Sequence, residues 1–446
     1  MTTYKHFRRG VAVAALAVTL AACEFIDPVT SNPNAVPEAT VDQLFTGVQV
    51  NTFFIGVGGL SRLSSIWTQQ MAGTDRQFVA FDSYIITEQD FDDEMDALYT
   101  GGGLVDVRQA IALAEAAGRN PYAGILKIHE AFMVGTVASY YGDIPYSEAA
   151  NPDIAEPALD DQAAVYAALQ TLLDEAISDL GGSGSGPGGV DMAFGGNTAS
   201  WIAVANTLKA RYHMHWAEVD GTRYAAALTA AQSGIDAEAG NWYAQFSTTA
   251  TENNLWHQFE RDRSGYVSAG DHLVPLMINN GDPRIGLYFT GSPPAPRTSN
   301  LSTIGYGAPE FDFPMVTCSE NYFIIAEAEF DAGAALAAQT AARAAAACQE
   351  AQHGLAADDL GSVTGFVSVG AALLTEILEQ KYIAQFLNPD ALNDYKRTCQ
   401  PALTGASGMP GRLFYSINER QANSNVPNTG QDPNDTYNDN DPNPCP

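Results

Sequence analysis

The sequence predicts a mostly α-helical protein, in which a tetratricopeptide-like layer of paired helices carries long irregular loops and a few short strands. Three observations predict this fold class. Apolar residues recur at helical spacing through most of the chain, the helical segments follow one another in pairs, and segments with strand character are few and short. The loops between the helices are long, and loops of this length in a folded protein commonly carry its function.

The composition allows a folded body and excludes two classes of partner. Hydrophobic residues make up 46% of the 446 residues, which is enough for a sizeable core. The chain has 52 Asp and Glu against 21 Lys and Arg, giving a formal net charge of −31. Such a surface has no basic patch for nucleic acid or for anionic lipid, so we expect neither as a partner.

The N-terminus is organised as a lipoprotein signal peptide over residues 1–22. Basic residues come first, and the uncharged run Val11–Ala22 that follows is too short to span a bilayer. The run ends in Leu-Ala-Ala-Cys, which places Cys23 where bacterial lipoproteins receive their diacylglycerol. We therefore expect lipidation at Cys23, and the acidic Glu24 beside it favours an outer-membrane, cell-surface location.

The mature chain divides into three parts by composition. Residues 23–40 form a Pro- and Asn-rich tether, residues 41–421 a single helical domain, and residues 422–446 an Asn/Asp/Pro-rich tail. The tail segment Asp432–Asp441 alternates carboxylates and amides, which are groups that suit calcium. It lacks the glycine and the distal glutamate of an EF-hand loop, so we favour a solvated tail and predict no cofactor.

The first half of the domain is predicted to contain six helices. The strongest signal marks the helix that ends at Tyr141, because Asn120-Pro121 is a favourable start and Gly142 is a favourable stop. The next helix is capped by Asp160 or Asp161 and ends before Gly181. The other four, read from apolar periodicity, are Val41–Val57, Leu60–Ala72, Leu98–Ala117 and Thr198–Val219.

The second half is predicted to alternate helices with loops. Asn388-Pro389 ends one long helix and starts a short one, because proline is tolerated only in the first turn. The predicted helices are Tyr224–Ala239, Ser319–Asp331, Ala334–Gln352, Gly370–Leu387 and Asp390–Thr398. The strand candidates are Tyr84–Thr87, Ile285–Phe289 and Phe313–Thr317. The longest loops are Gly181–Gly196, Gly240–Arg263 and Gly281–Met315.

Four cysteines remain after Cys23, and an even number in an exported protein indicates disulfides. They are Cys318, Cys348, Cys399 and Cys445, which allow three pairings. Cys348 lies in an Ala-rich helical stretch and is alternatively a buried free thiol.

No catalytic or metal-binding motif emerges from the sequence. His213 and His215 stand two apart on a predicted helix and point in different directions, so they cannot hold one ion. Glu327 and Glu329 face different ways for the same reason and cannot form an acid–base pair. We therefore expect a protein that is not an enzyme.

Aromatic residues in the loops are the candidate ligand contacts. Sugar rings stack their C–H faces on aromatic side chains, while arginines and amides bond the hydroxyls. One candidate group is Trp67, Arg76, Phe78, Phe81 and Tyr84; the other is Trp256, Tyr266 and Tyr288. The alternative for each ring is that it anchors its loop onto the helical core.

Five short segments, taken in order, resemble one known family. They are YYGDIPYSEA at Tyr140–Ala149, GDPR at Gly281–Arg284, AEAEF at Ala326–Phe330, EQKYIAQFLNPDALNDYKRT at Glu379–Thr398 and PGRLFYSINERQAN at Pro410–Asn423. Together with the lipoprotein leader they are similar to the SusD/RagB family of nutrient-binding outer-membrane lipoproteins. The family often has a tryptophan or another aromatic where this chain has Leu392 and Tyr395, and the Gly181–Gly196 loop resembles an insertion.

The resemblance implies a SusD-like fold and a non-catalytic surface protein. Such a protein captures an oligosaccharide, or a peptide, and delivers it to a SusC-like TonB-dependent transporter in the outer membrane. The family's ligand contacts lie in variable loops, so its binding residues do not transfer by position. The alternative function is a helical-repeat scaffold that binds another protein of the cell envelope.

Overall fold

Helices account for most of the residues that the computed structural model describes, which are 39–427, 438 and 445. The helices of the first half are α1 Val41–Val57, α2 Gly59–Trp67, α3 Gln77–Asp82, α4 Asp92–Tyr99, α5 Leu104–Ala116, α6 Asn120–Tyr141, α7 Gln162–Leu180 and α8 Thr198–Met214. Those of the second half are α9 Thr222–Ala231, α10 Leu255–Asp262, α11 Leu273–Asn280, α12 Ile285–Tyr288, α13 Cys318–Asp331, α14 Ala335–His353, α15 Ala371–Ala384, α16 Asp390–Thr398 and α17 Ile417–Ala422. This confirms the predicted fold class.

The centre of the helical layer is α6, in which every residue from Pro121 to Tyr141 is buried. It packs on α5, α7 and α8, and the layer continues from α8 through α9 and α13 to α14 and α15. Gly135 lets α8 approach closely, because a Cβ there would lie 2.3 Å from the ring of Tyr212. Gly142 ends α6 with φ of 80°, a conformation that glycine adopts without strain.

Helix α1 and its continuation α2 also belong to the core. The stretch Val41–Trp67 is long and apolar enough to cross a membrane, yet 72% of its most apolar window is buried inside the protein. The core helix of a folded protein can be equally long and apolar. The burial of this stretch therefore identifies it as part of the core.

Four short strands form two antiparallel pairs. Strand β1, Met71–Gly73, pairs with β3, Val267–Ala269, and strand β2, Trp242–Ala244, pairs with β4, Phe313–Val316. The first pair joins the loop after α2 to the loop after α10, which are far apart in sequence. It thereby brings two irregular segments to one face of the protein.

Two of the three predicted strands are wrong. Ile285–Tyr288 forms a single helical turn, because a short apolar run fits either period and gives no means of choosing. Tyr84 has φ of 59°, which is left-handed and incompatible with an extended strand. The third candidate, Phe313–Thr317, is confirmed as β4.

The cysteines pair as Cys318–Cys348 and Cys399–Cys445. The first bridge joins the start of α13 to the far end of α14, so the alternative of a free thiol at Cys348 is wrong. The second joins the end of α16 to the C-terminal segment. Each bridge limits the freedom of the unfolded chain, which stabilises the folded state.

Parts of the sequence-based description lie outside the described residues. These are the signal peptide, the lipidated Cys23, nearly all of the tether and most of the acidic tail. The tail is described at residues 422–427, 438 and 445, and at Asn438 and Cys445 it is attached to the helical domain. Asn438 is buried and donates to the carbonyl of Ser139 over 2.7 Å, so the expectation of a wholly solvated tail is wrong at these residues.

Candidate functional site

Residues 77–91, which include α3, contribute side chains to two clefts. We call the first the Tyr84 cleft. It has a volume of about 270 Å³ and is lined by Ile66, Gln69, Met71, Asp82, Tyr84, Asp271, His272, Arg297, Thr404 and Gly405. The second is the Arg62 cleft. It has a volume of about 300 Å³ and is lined by Gly59, Arg62, Leu63, Gln77, Phe78, Phe81, Gln89, Asp90, Phe91, Asp93, Glu94, Phe259 and Arg263.

Arg297 organises the Tyr84 cleft. Its guanidinium donates to the carboxylate of Asp271 over 2.7 Å and to that of Asp82 over 2.8 Å, while its side chain remains 47% exposed. Asp82 also accepts from the backbone N–H of Gly73 in β1. Three separate segments of the chain are therefore linked by hydrogen bonds around one polar opening.

The backbone of this cleft is unusual. Gln69, Tyr84 and Arg297 all have φ between 57° and 59°, in the left-handed region that residues with a Cβ rarely adopt. Such conformations persist only where the surrounding structure enforces them, and they concentrate at binding sites. Here they fix the direction of three polar side chains at one opening.

A phenylalanine cluster forms the floor of the Arg62 cleft. The ring of Phe78 lies 5.3 Å from Phe81 and 5.2 Å from Phe259 between centroids, and Phe81 lies 5.1 Å from Phe91. The guanidinium of Arg62 sits 4.8 Å from the centroid of Phe259, within cation–π range. The four rings are only 5–8% exposed, so the cluster is an apolar layer beneath the charged groups of the cleft.

Most residues of the first predicted group surround these two clefts. Tyr84 lines one cleft, Phe78 and Phe81 line the other, and Arg76 stands exposed in the loop between β1 and α3. Trp67 is buried and supports the site from behind. Its indole donates to the carbonyl of Phe81 over 3.1 Å, and its ring meets that of Tyr84 edge-on.

The second predicted group does not present its rings together. Tyr266 is half-buried and packs against Phe78 at the margin of the phenylalanine cluster. Trp256 and Tyr288 are completely buried. The indole of Trp256 donates to Ser61, and the ring of Tyr288 stacks on Phe386 at 4.2 Å. These contacts give the two rings a packing role; as ligand contacts, all eight residues remain a prediction.

Several residues of the site were missed in the sequence. Arg62 and Glu94 lie on helices α2 and α4, whereas the predicted ligand contacts are aromatic residues of loops. Asp271 and Arg297 are remote in sequence from Tyr84 and reach it only through the β1–β3 pair. The sequence does contain one signal for Arg297, which is its position in the predicted Gly281–Met315 loop.

Buried titratable groups elsewhere belong to the core. His215 bonds to Tyr166 over 2.8 Å and to Asp390 over 2.6 Å, with its neighbour His213 directed elsewhere. Glu327 is buried between Lys381 and Arg397, whereas Glu329 is half-exposed. Within residues 39–427, 438 and 445, no three His, Cys, Asp or Glu side chains are arranged to hold a metal ion.

Comparison with known proteins places this fold. The family model SusD-like_2, described as "Starch-binding associating with outer membrane", matches residues 33–415. The chain belongs to the SusD-like family. No curated protein matches the chain.

Solved structures of SusD-like proteins share the fold. A SusD/RagB family protein from Bacteroides thetaiotaomicron is 20% identical, with 87% of this chain and 95% of that chain covered at a TM-score of 0.69. A chitin-binding SusD homologue from Flavobacterium johnsoniae is 19% identical, with 86% and 94% covered at a TM-score of 0.69. A further chitin-binding protein is 21% identical, with 87% and 95% covered at 0.70. At this identity the likeness shows the fold alone.

The packing role of Trp256 gives a prediction that separates it from a ligand contact. Trp256→Phe should lower the free energy of unfolding by about 2 kcal/mol, because it removes part of a buried ring and leaves the hydroxyl of Ser61 without its donor. Urea denaturation followed by circular dichroism measures the loss. Unchanged stability together with weaker ligand binding would instead make Trp256 a contact.

Proposed function

We propose that this SusD-like protein is a non-catalytic surface lipoprotein that binds an oligosaccharide at the face containing the Tyr84 and Arg62 clefts. The observation that carries the proposal is the combination of aromatic, guanidinium, carboxylate and amide groups around two adjacent openings. Hydroxyl-rich ligands need such donors and acceptors, and sugar rings need flat apolar surface beside them. The family description and the chitin-binding relatives support a carbohydrate over a peptide.

The location and partner belong to the same proposal. Lipidation at Cys23 would anchor the protein in the outer membrane, and the tether over residues 23–40 would leave the helical domain free to face the exterior. The captured sugar would then pass to a SusC-like TonB-dependent transporter. Binding and release of an unchanged ligand require no acid–base pair, so we propose no reaction.

The test is ligand binding by a matched pair of variants. A glycan array, followed by calorimetry with the best oligosaccharide, should show binding that Tyr84→Ala weakens by about 1–3 kcal/mol, the usual range for an aromatic anchor. The control is Tyr322→Ala, since Tyr322 is also half-buried but lies on α13, outside both clefts.

The two variants also define failure. Equal affinity in both would move the site away from the Tyr84 cleft. A blank glycan array with a stably folded protein would contradict carbohydrate capture and favour the alternative of a scaffold within the envelope. Shortened sugars after incubation would contradict non-catalytic binding.

A further inference from the structure

Two arginines in the Arg62 cleft lack the partners that other cationic side chains have. Across residues 39–427, each Lys and Arg side chain other than Arg62 and Arg263 has an ion pair or a hydrogen bond to protein. These two line the same cleft. Burial lowers the pKa of Arg62, the charge of Glu94 opposes this, and the like charge of Arg263 lowers the pKa further. In a chain with 52 acidic residues, two neighbouring unpaired arginines point to an anion supplied from outside.

Glu94 adds to the same cleft a carboxyl group that has no protein donor among the described residues. Its side chain lies in the first turn of α4, is 6% exposed, and receives no hydrogen bond from another described residue. Its carboxyl packs against the start of α2, where a Cβ on Gly59 would lie only 1.6 Å from Oε1. The glycine therefore leaves space for this carboxyl at the wall of the cleft.

The charge of Glu94 is set by several neighbours. Burial raises its pKa to about 7, Arg62 opposes the rise, and Asp93 and Asp92 add to it. The hydroxyl of Tyr141 also lies near enough to sense its charge, and Arg263 stands across the same cleft. At neutral pH a large fraction of Glu94 is therefore a neutral acid that can donate a hydrogen bond.

We propose that the Arg62 cleft is a subsite for an acidic sugar, in which Arg62 and Arg263 bind the carboxylate of a uronic acid unit and Glu94 donates a hydrogen bond to it. This inference rests on the proposed oligosaccharide binding and names its substrate class. Guanidinium groups match carboxylates in geometry and form strong charge-assisted hydrogen bonds with them. The phenylalanine cluster, whose rings are 5–8% exposed, is the apolar backing of this subsite.

The carboxylates at the rim do not fill this role. Asp90 accepts from the backbone N–H of Thr87 over 2.6 Å and from its hydroxyl over 2.7 Å, so it is engaged within its own loop. Asp93 forms no ion pair with either arginine among the described residues. The two guanidinium groups thus remain open to a ligand.

The experiment compares two ligands that differ only in charge. Calorimetry on the purified full-length protein measures binding of trigalacturonate and of its fully methyl-esterified form, which keeps the rings and removes the charges. The acid should bind roughly tenfold more tightly, and raising the salt concentration should weaken only the acid. Equal affinity for the two ligands would overturn the proposal.

Matched variants locate the effect. Arg263→Gln should weaken trigalacturonate binding roughly tenfold and leave the ester within about twofold, since Arg263 is exposed and its loss should not disturb folding. Arg223→Gln removes the same charge from α9, outside the cleft, and should leave both affinities unchanged. If the two variants behave alike, the arginine pair is not the site.

The pH dependence tests Glu94 separately. A uronic acid stays ionised between pH 6 and pH 8.5, so ionisation of Glu94 over that range would place two negative charges together and weaken binding. Glu94→Gln imitates the neutral acid and should abolish the fall in affinity. A fall that persists in the variant would exclude Glu94.

If neutral sugars on the array bind and trigalacturonate does not, this inference fails while carbohydrate capture stands. A blank array contradicts both.

Discussion

Replacing Phe386 by alanine is expected to lower the free energy of unfolding by about 3–5 kcal/mol. The side chain is 1% exposed and lies directly after α15. Its ring stacks on Tyr288 at 4.2 Å with an angle of 6° between planes, and meets Tyr306 edge-on at 4.9 Å. Alanine would leave a cavity between rings that other contacts hold in place, so the surroundings cannot collapse to fill it.

The control for this variant is Leu336→Ala. Leu336 is 74% exposed on α14, so its truncation should change stability by less than about 0.5 kcal/mol. Urea denaturation of both variants, followed by circular dichroism, provides the comparison. A loss for Phe386→Ala as small as that of the control would show that the aromatic cluster around Tyr288 is not a packed core.

The same cluster shows how far the sequence could predict the structure. The bounds of α1, α6 and α16 agree with the predicted helices, because periodicity, proline and glycine mark those ends in the sequence. Phe386 lies in the predicted helix Gly370–Leu387, whereas α15 ends at Ala384 in the structure. Strands β1, β2 and β3 were missed, since three residues are too few to show alternation and their pairing is decided by distant segments.

The site was predictable only in part, for a related reason. Sequence identifies which loops carry aromatic residues but not which side of a ring faces solvent. Tyr84 is half-buried and lines one cleft. Phe78 and Phe81 line the other cleft from α3 but are only 5–6% exposed, and Trp256 and Tyr288 are completely enclosed by the core. Arg62 and Glu94 line one cleft from α2 and α4, and no local sequence pattern predicts that they meet there.

Glu327 links helices through a buried ionic network. One carboxylate oxygen accepts from Lys381 on α15 over 2.9 Å, and the other accepts from Arg397 on α16 over 2.5 Å. Both cations also bond to Asp394. Burial alone would lower the pKa of Arg397, but the charges of Glu327 and Asp394 raise it well above its ordinary value. The network therefore holds two cations and two anions in near balance between α13, α15 and α16.

Glu327→Gln should consequently lower the free energy of unfolding by about 3–5 kcal/mol, because it leaves a buried positive charge without its counter-charge. Glu329→Gln, two residues further along α13 on its half-exposed side, is the matched control and should cost less than about 0.5 kcal/mol.

Adding Lys381→Met to Glu327→Gln removes the surplus cation, so the double variant should be more stable than the sum of the single losses implies, by about 1–3 kcal/mol. Losses that add within about 0.5 kcal/mol in urea denaturation would mean that Glu327 and Lys381 act independently and would contradict their coupling across α13 and α15.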